Sequence, residues 1–130
     1  MYTERRYIEF KSQKKRADDC VIRALMKLTG NDWETCFDEL CVIAKNQKRM
    51  PNEWKVVEEW LRNHNYVKYS YGRLSKGERR VSVNEFAIDN PEGSYLISVA
   101  GHVVASIDGY YYDSWDCGNC KIYTYYKLEE

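Results

Sequence analysis

Three residues that together can perform nucleophilic catalysis occur in two separate segments of the chain. The first segment contains Cys20, which follows two aspartates and precedes a periodic apolar stretch. The second segment, late in the chain, contains His102 and Asp113. An imidazole can deprotonate a thiol when a carboxylate orients the ring, and the resulting thiolate is a strong nucleophile. The sequence therefore predicts a thiol-dependent hydrolase if these two segments meet in the fold.

The predicted hairpin around Asp108-Gly109 determines which acid can reach the histidine. An Asp-Gly pair between two apolar-aromatic runs is a strong signal for a two-residue hairpin turn. With this turn, His102 and Asp113 are diagonal neighbours on one face, roughly 7 Å apart at the backbone. Asp116 would lie on the opposite face if the strand continued. We therefore predict Asp113 as the carboxylate of the triad and keep Asp116 as the second candidate.

Four further groups are candidates to support the triad. Trp115 would lie opposite His102 in the hairpin, where it either covers the histidine–carboxylate hydrogen bond from water or is an ordinary strand residue. A donor to the oxyanion could be the backbone amide of Cys20 or, as a weaker candidate, the side chain of Gln13. Asp19, or Asp18 before it, is predicted to cap the helix that begins at the cysteine.

The position of Cys20 at a helix N-terminus favours a reactive thiol. The helix is predicted from about Cys20 to Thr29, and Gly30 provides its C-terminal glycine. The positive end of the helix dipole and the first-turn amides lower the pKa of a thiol there. The apolar residues recur with helical spacing and form one stripe, namely Val21, Ala24, Leu25 and Leu28.

The remaining pattern predicts helices first and strands later, which is typical of an α+β domain. A second helix is capped by Asn31 or Asp32, and a third has Pro51 in its first turn. The predicted strands cover 67–71, 94–100, 102–107, 110 to about 115, and 121–127, with a short helix that starts at Ser82 and ends before Pro91. We expect three helices packed on a mostly antiparallel sheet within residues 18–130. Residues 1–17 are interpreted as a basic, solvated arm, although 7–10 could form a short strand.

Length and charge limit the classes of function. The chain has 130 residues, with 20 acidic and 20 basic side chains. This length suggests one domain, and the zero net charge argues against nucleic-acid binding. No segment reaches the roughly 18 apolar residues of a membrane span, and the start lacks a secretory signal. We therefore expect a cytoplasmic protein without membrane or nucleic-acid partners, and the proposed chemistry needs no cofactor.

The other cysteines and the second histidine are interpreted as structural. Cys36 and Cys41 lie within an amphipathic helix and are expected to be small buried residues. Cys117 and Cys120 form a C-x-x-C pair that could bind a metal or form a reversible disulfide. A zinc site usually needs four ligands, and the sequence has no second pair, so we predict no metal site. His64, at a polar helix end, is expected on the surface.

The site residues resemble those of the papain-like cysteine peptidases, with Cys20 on a helix, His102 on a later strand and Asp113 on the next. The sequence is more closely similar to small phage and prophage proteins. These proteins carry an Asp-Cys-Val-x-Arg-Ala motif, a Thr-Gly helix end and a His-x-Val-Ala-x-x-Asp-Gly hairpin, which correspond here to residues 19–24, 29–30 and 102–109. The resemblance covers the chain from residue 18 to about residue 126.

This resemblance implies a papain-like fold and hydrolysis of a peptide or isopeptide bond in a protein or peptide substrate. If a phage encodes the protein, the host cytoplasm is the expected location. Papain-like enzymes usually carry a glutamine six residues before the cysteine, whereas this chain has Lys14 there and its nearest glutamine is Gln13. The alternative is therefore a papain-like module that has lost turnover and binds or inhibits a host protein.

Overall fold

A computed structural model describes residues 4–11, 19–71 and 79–129. Within these ranges the chain forms four helices and one sheet of six strands, which confirms the α+β class. None of these helices is long and apolar enough to cross a membrane. In chain order the elements are β1 (Tyr7–Glu9), α1 (Cys20–Thr29), α2 (Trp33–Gln47), α3 (Trp54–Asn63), β2 (Tyr66–Ser70), α4 (Val83–Asp89), β3 (Ser94–Val99), β4 (His102–Ile107), β5 (Tyr110–Asp113) and β6 (Ile122–Leu128).

The sheet has the strand order β1-β5-β4-β3-β6-β2. All neighbouring pairs are antiparallel except β1 with β5, so the predicted, mostly antiparallel sheet is confirmed. The predicted hairpin joins β4 to β5, with Ile107 opposite Tyr110. Asp108 and Gly109 have φ values of 49° and 87°, and two positive φ angles are the signature of a type I′ turn.

The two faces of the sheet carry two separate hydrophobic cores. Along β4, Val103 and Ala105 belong to the core that contains α1, α2 and α3, whereas Val104 belongs to the core that contains α4. This alternation follows from the two-residue period of a strand. The three N-terminal helices therefore pack on one face of the sheet, as predicted, and α4 packs on the other.

Helix α1 has the predicted bounds but a broader buried surface than predicted. Gly30 ends the helix in the left-handed conformation, and its amide donates to the carbonyl of Met26 at 2.7 Å. The buried residues are Ile22, Arg23, Ala24, Leu25 and Met26. Val21 and Leu28, which were predicted in the apolar stripe, are only partly buried. The reason is that α1 contacts both the sheet and α2, so burial is not confined to one stripe.

Helix α3 begins at Trp54, so the prediction that Pro51 lies in its first turn is wrong. The amide of Glu53 donates to the carbonyl of Met50 at 3.1 Å, and the Glu53 carboxylate accepts from the Met50 amide at 2.7 Å. These bonds close a turn over residues 50–53. Proline is favoured at the second position of such a turn because its fixed φ fits there.

The short strand that the sequence allowed at residues 7–10 is present, so this part of residues 1–17 is attached to the sheet. Tyr7–Glu9 form β1 and pair in parallel with β5. The Arg6 carbonyl accepts from the Tyr111 amide at 2.9 Å, and the Phe10 amide donates to the Asp113 carbonyl at 2.7 Å. Strand β5, which carries Asp113, is therefore covered on both sides rather than forming an open edge.

The turn after β5 leaves no room for a side chain at Gly118. A Cβ there would lie 2.1 Å from the Tyr111 hydroxyl and 2.9 Å from Asp116 Oδ1. Tyr111 is fully buried and donates to Asp116, so neither group can move away without loss of packing. We expect Gly118→Ala to lower the free energy of unfolding by about 2–3 kcal/mol, measured by urea denaturation.

The control for this variant is Gly30→Ala. Gly30 has a φ of 79° with no atom within 4 Å of an added Cβ, so only backbone strain of about 1 kcal/mol is expected. If Gly118→Ala lowered the free energy of unfolding by no more than Gly30→Ala does, the close packing around Gly118 would be contradicted.

Candidate active site

The three predicted catalytic residues come together at the open end of the β4–β5 hairpin. His102 is the first residue of β4 and Asp113 is the last residue of β5, and His102 Nε2 lies 2.5 Å from Asp113 Oδ2. The same imidazole interacts with the thiol of Cys20 at the start of α1. The histidine ring thus hydrogen-bonds to the carboxylate and lies beside the thiol, with which it lines one small cavity.

The surroundings of Cys20 and His102 favour a thiolate and an imidazolium. Burial raises the pKa of Cys20, but the His102 side chain, the Val103 amide and the Arg23 charge lower it further, so the net pKa lies below that of an ordinary thiol. Hydrogen bonding to Asp113, and secondarily to Cys20, raises the pKa of His102 to about 9 despite the opposing effect of burial. At neutral pH both shifts favour transfer of the thiol proton to the ring.

Arg23, for which the sequence analysis assigned no role, connects the acid of the triad to α1. Its side chain is only 8% exposed. Arg23 Nη2 lies 3.0 Å from Asp113 Oδ1, and Nη1 lies 3.2 Å from Asp19 Oδ1. The four-residue spacing of Asp19 and Arg23 on one helix was the available signal, since acidic and basic side chains at i and i+4 face each other.

Asp19 supports the site in a way that differs from the prediction. It precedes α1, but its side chain makes no capping hydrogen bond. Its carboxylate instead binds Arg23 and accepts from Trp33 Nε1 at 2.6 Å. A buried guanidinium needs acceptors more than the first helical turn does, because the amides of that turn can be satisfied by water. Asp18 and the predicted oxyanion donor Gln13 lie outside the described residues.

Asp113 divides its two carboxylate oxygens between different partners. Oδ1 accepts from Arg23 and from the Ser114 amide at 2.7 Å, while Oδ2 faces His102. Burial raises the pKa of this carboxyl, but hydrogen bonds from His102 and Cys117 lower it more, so it remains ionised. The carboxylate is therefore fixed in one orientation toward the imidazole.

Trp115 and Asp116 are both displaced from the predicted strand, because β5 ends at Asp113 rather than near Trp115. The Trp115 ring lies 5.2 Å from the His102 ring, yet this side chain is 48% exposed. It contacts the histidine without a cross-strand pairing. Asp116 accepts from the Tyr111 hydroxyl and from the Gly118 amide and pairs with Arg5. Its carboxylate therefore holds the turn after β5 and is not among the partners of His102.

Cys117 is a second residue whose contact was not predicted. It is 1% exposed, and its sulfur lies within 4.8 Å of a carboxylate oxygen of Asp113. Burial, together with the Asp113 charge, raises the pKa of this thiol well above its ordinary value. The Cys120 amide donates to the Cys117 carbonyl at 2.9 Å, and both cysteines are free thiols. The C-x-x-C spacing was visible in the sequence, but nothing there indicated that Asp113 would be the partner.

His102, Asp113 and Cys117 could in principle hold a metal ion, because their ligand atoms lie within 4.8 Å of one another. Nitrogen, oxygen and sulfur donors of this kind suit zinc. However, the Arg23 guanidinium already occupies Asp113 Oδ1, and its positive charge opposes a cation at the same carboxylate. The positive charge of Arg23 therefore favours a hydrogen bond between His102 and Asp113 over a metal ion at this carboxylate.

The remaining cysteines and His64 do not contribute to the site. Cys36 is fully buried, as predicted, and burial raises the pKa of its thiol. Cys41 is only partly buried on α2. His64 ends α3, where Nδ1 donates to the Trp60 carbonyl at 2.8 Å and the ring stacks on Trp60. It is partly exposed and contributes to the packing of the helix end.

Comparisons with known proteins do not assign a family. No family model, no curated protein and no solved structure matches this chain. The functional argument therefore depends on the geometry of the site itself.

Loss of the Arg23 charge should be strongly destabilising. Arg23→Met would leave Asp19 and Asp113 buried without their common cation, so we expect the free energy of unfolding to fall by about 3 kcal/mol or more. The control is Arg49→Met. Arg49 and Glu53 have the same four-residue spacing and the same 3.2 Å separation, but both are more than one-third exposed. Loss of this exposed ion pair should lower the free energy of unfolding much less than loss of Arg23 does. Equal losses in urea denaturation would contradict the role of burial.

The coupled titration of Cys20 and His102 should appear in the pH dependence of stability. His102 holds a proton up to about pH 9 in the folded protein, but an unfolded histidine releases it near 6.5. This group alone therefore stabilises the fold below pH 6.5 and loses that stabilisation as the pH rises toward 9. The lowered pKa of Cys20 acts in the opposite sense, because the unfolded thiol keeps a proton that the folded one releases.

Cys20→Ala keeps Asp113 beside His102 but removes the opposing titration of the thiol. Between pH 6.5 and pH 8.5 we therefore expect its free energy of unfolding to fall by about 1–2 kcal/mol more than that of the wild type. Urea denaturation at both pH values measures this difference. Cys41→Ala is the control and should follow the wild type. The same pH dependence in Cys20→Ala and the wild type would show that Cys20 does not offset the titration of His102. A stability of Cys20→Ala that did not fall between these pH values would show that the pKa of His102 is not raised.

Proposed function

We propose that the protein is a cysteine-dependent hydrolase of peptide or isopeptide bonds with a papain-like arrangement of its catalytic groups. Cys20 is the nucleophile, His102 is the general base and acid, and Asp113 orients the imidazole. The observation that carries the proposal is the position of one imidazole beside the thiol and hydrogen-bonded to the buried carboxylate. The similarity of the two sequence motifs to those of small phage proteins extends the proposal to an enzyme that a phage encodes.

The reaction would proceed by acyl transfer through the thiol. The Cys20 thiolate attacks the substrate carbonyl, a C–S bond forms, and the C–N bond breaks as His102 gives its proton to the departing amine. Water then attacks the thioester while His102 accepts a proton from it. A C–O bond forms, the C–S bond breaks, and the carboxylic acid leaves with the thiolate restored. Both steps require the imidazole to stay within hydrogen-bond reach of the thiol and of the departing amine or the attacking water.

The N-terminus of α1 supplies the electrostatic part of the proposed mechanism. Cys20 is the first residue of α1, and the first amides of a helix have no acceptor within it. The Cys20 amide is therefore the candidate donor to the oxyanion that forms at the substrate carbonyl, and the helix dipole favours negative charge there. A contribution from the Gln13 side chain stays a prediction from the sequence.

The packing around Asp113 would keep the imidazole in the productive orientation. Arg23 and the Ser114 amide bind one carboxylate oxygen, which leaves the other oxygen for His102. An ionised carboxylate next to the ring stabilises the imidazolium that forms when the thiol loses its proton. Arg23 is thus a positioning residue, because it acts on the reaction through Asp113.

The first test of the proposal is the alkylation rate of Cys20 by iodoacetamide as a function of pH, measured by peptide mass spectrometry. We expect a titration midpoint below the value near 8.5 of a free thiol. His102→Ala removes the main group that lowers the pKa of Cys20, whereas burial of the thiol remains. The rate at pH 6.5 should then fall by about tenfold or more, because fewer thiols are ionised.

The matched control is His64→Ala, which removes the other histidine and should leave the alkylation profile unchanged. A Cys20 that titrates like an ordinary thiol in the wild type, or that responds equally to both histidine variants, would disprove the hydrolase. The alternative function, a papain-like binding module without turnover, would then be favoured, and the replacement of the usual glutamine by Lys14 is the sequence feature that supports it.

A further inference from the structure

Two cavities meet at Cys20, and together they form one cleft across the thiol. The smaller cavity, of about 260 Å³, is lined by His102, Val103 and Trp54 in addition to Cys20 and Gly101. The larger cavity, of about 550 Å³, extends from the start of α1 toward α2 and the turn at residues 50–52. Cys20, Val21 and Gly101 line both cavities. A substrate bonded to the thiol would therefore extend into both.

The larger cavity, which we term the α2 groove, has a largely apolar lining. Its lining includes Val21, Ile22, Trp33, Phe37, Leu40 and Met50. The Trp33 and Phe37 rings stack with their centroids 5.1 Å apart. Met50 is 65% exposed. A thioether side chain is flexible and adapts its shape to apolar ligands.

The described residues that line the α2 groove offer no unbalanced charge to a ligand. The one ionisable carboxylate among them is that of Asp19, and this group is bound by the Arg23 guanidinium and by the Trp33 indole. A cationic ligand group would have to compete with Arg23, and an anionic one would meet the Asp19 charge. An uncharged apolar group is therefore the ligand that the lining favours.

The position of His102 distinguishes the two ends of the cleft. His102 lines the smaller cavity but not the α2 groove. In the proposed mechanism His102 gives its proton to the departing amine, so the leaving group must lie on the side of the smaller cavity. The acyl part of the substrate is then directed into the α2 groove.

We propose that the α2 groove selects acyl groups with an uncharged apolar substituent, aromatic or branched aliphatic, near the carbonyl that Cys20 attacks. This inference rests on the proposed hydrolase function. Its substrates would be peptides or isopeptides with a bulky apolar residue on the acyl side of the bond that is cleaved and a smaller group on the amine side.

The test compares acylation of Cys20 by p-nitrophenyl acetate and p-nitrophenyl 3-phenylpropanoate. In both reactions the C–S bond forms at the ester carbonyl, the C–O bond breaks, and released p-nitrophenolate is measured by absorbance, with Cys20→Ser as the blank. The rate ratio of the two esters is divided by the ratio for glutathione, which corrects for their intrinsic reactivity. We expect a corrected preference of about tenfold or more for the phenylpropanoate.

Two variants connect this preference to the α2 groove. Met50→Glu places a charge at its rim, and Phe37→Ala removes part of its lining. Each should lower the ratio of the phenylpropanoate rate to the acetate rate by about fivefold or more. Val42→Glu is the matched control, because Val42 is also on the surface, at 62% exposure, but does not line the groove. It should retain the preference.

The outcomes separate the two proposals. Suppose that p-nitrophenyl acetate acylates Cys20 faster than it acylates glutathione, but that the corrected preference for the phenylpropanoate is absent. This result would contradict the assignment of the α2 groove and would still support the hydrolase function. A preference that both groove variants retain would also overturn it. A Cys20 that reacts with neither ester faster than glutathione does would overturn the hydrolase, and the groove assignment with it.

Discussion

The site depends on the sharing of one buried guanidinium between two carboxylates that come from different parts of the chain. Arg23 is inside α1, Asp19 precedes that helix, and Asp113 ends β5. Removing a carboxylate from water costs several kcal/mol unless a cation and hydrogen bonds compensate for it. This requirement fixes the distance between the start of α1 and the end of β5, and therefore places the Cys20 thiol beside the hairpin that carries His102.

Other features of the fold serve the same constraint. Strand β1 covers the outer side of β5, and the Asp116 carboxylate holds the turn that follows β5. Both keep the backbone at Asp113 in place and exclude water from its side chain, which is 1% exposed. A low local dielectric strengthens the attraction between this carboxylate and an imidazolium. The raised pKa of His102 is thus a consequence of how tightly β5 is enclosed.

Much of this arrangement could be predicted from local patterns, and what could not depends on contacts between distant residues. The Asp108-Gly109 turn determines the hairpin register, and that register brings His102 close to Asp113. By contrast, the sequence indicated only a possible short strand at residues 7–10, because a three-residue strand gives little local signal and its parallel partner β5 lies far along the chain. The contacts of Arg23 and Cys117 with Asp113 could not be predicted either. They depend on which surfaces of α1 and of the 117–120 turn face the hairpin, and no local sequence pattern indicates this.

Burial raises the pKa of Cys20, whereas activation of the thiol requires a lowered pKa. The fold meets both conditions because the groups that lower this pKa lie on one side of the thiol and the apolar groove lies on the other. An apolar cleft raises the pKa of a thiol, which would suppress its reactivity. Here the groups that lower this pKa, His102, the Val103 amide and Arg23, belong to the sheet and to the buried side of α1. The wall of the α2 groove can therefore remain apolar without loss of the thiolate. A charge added to that wall would alter which acyl group binds, whereas a charge removed beneath the thiol would alter whether it reacts at all.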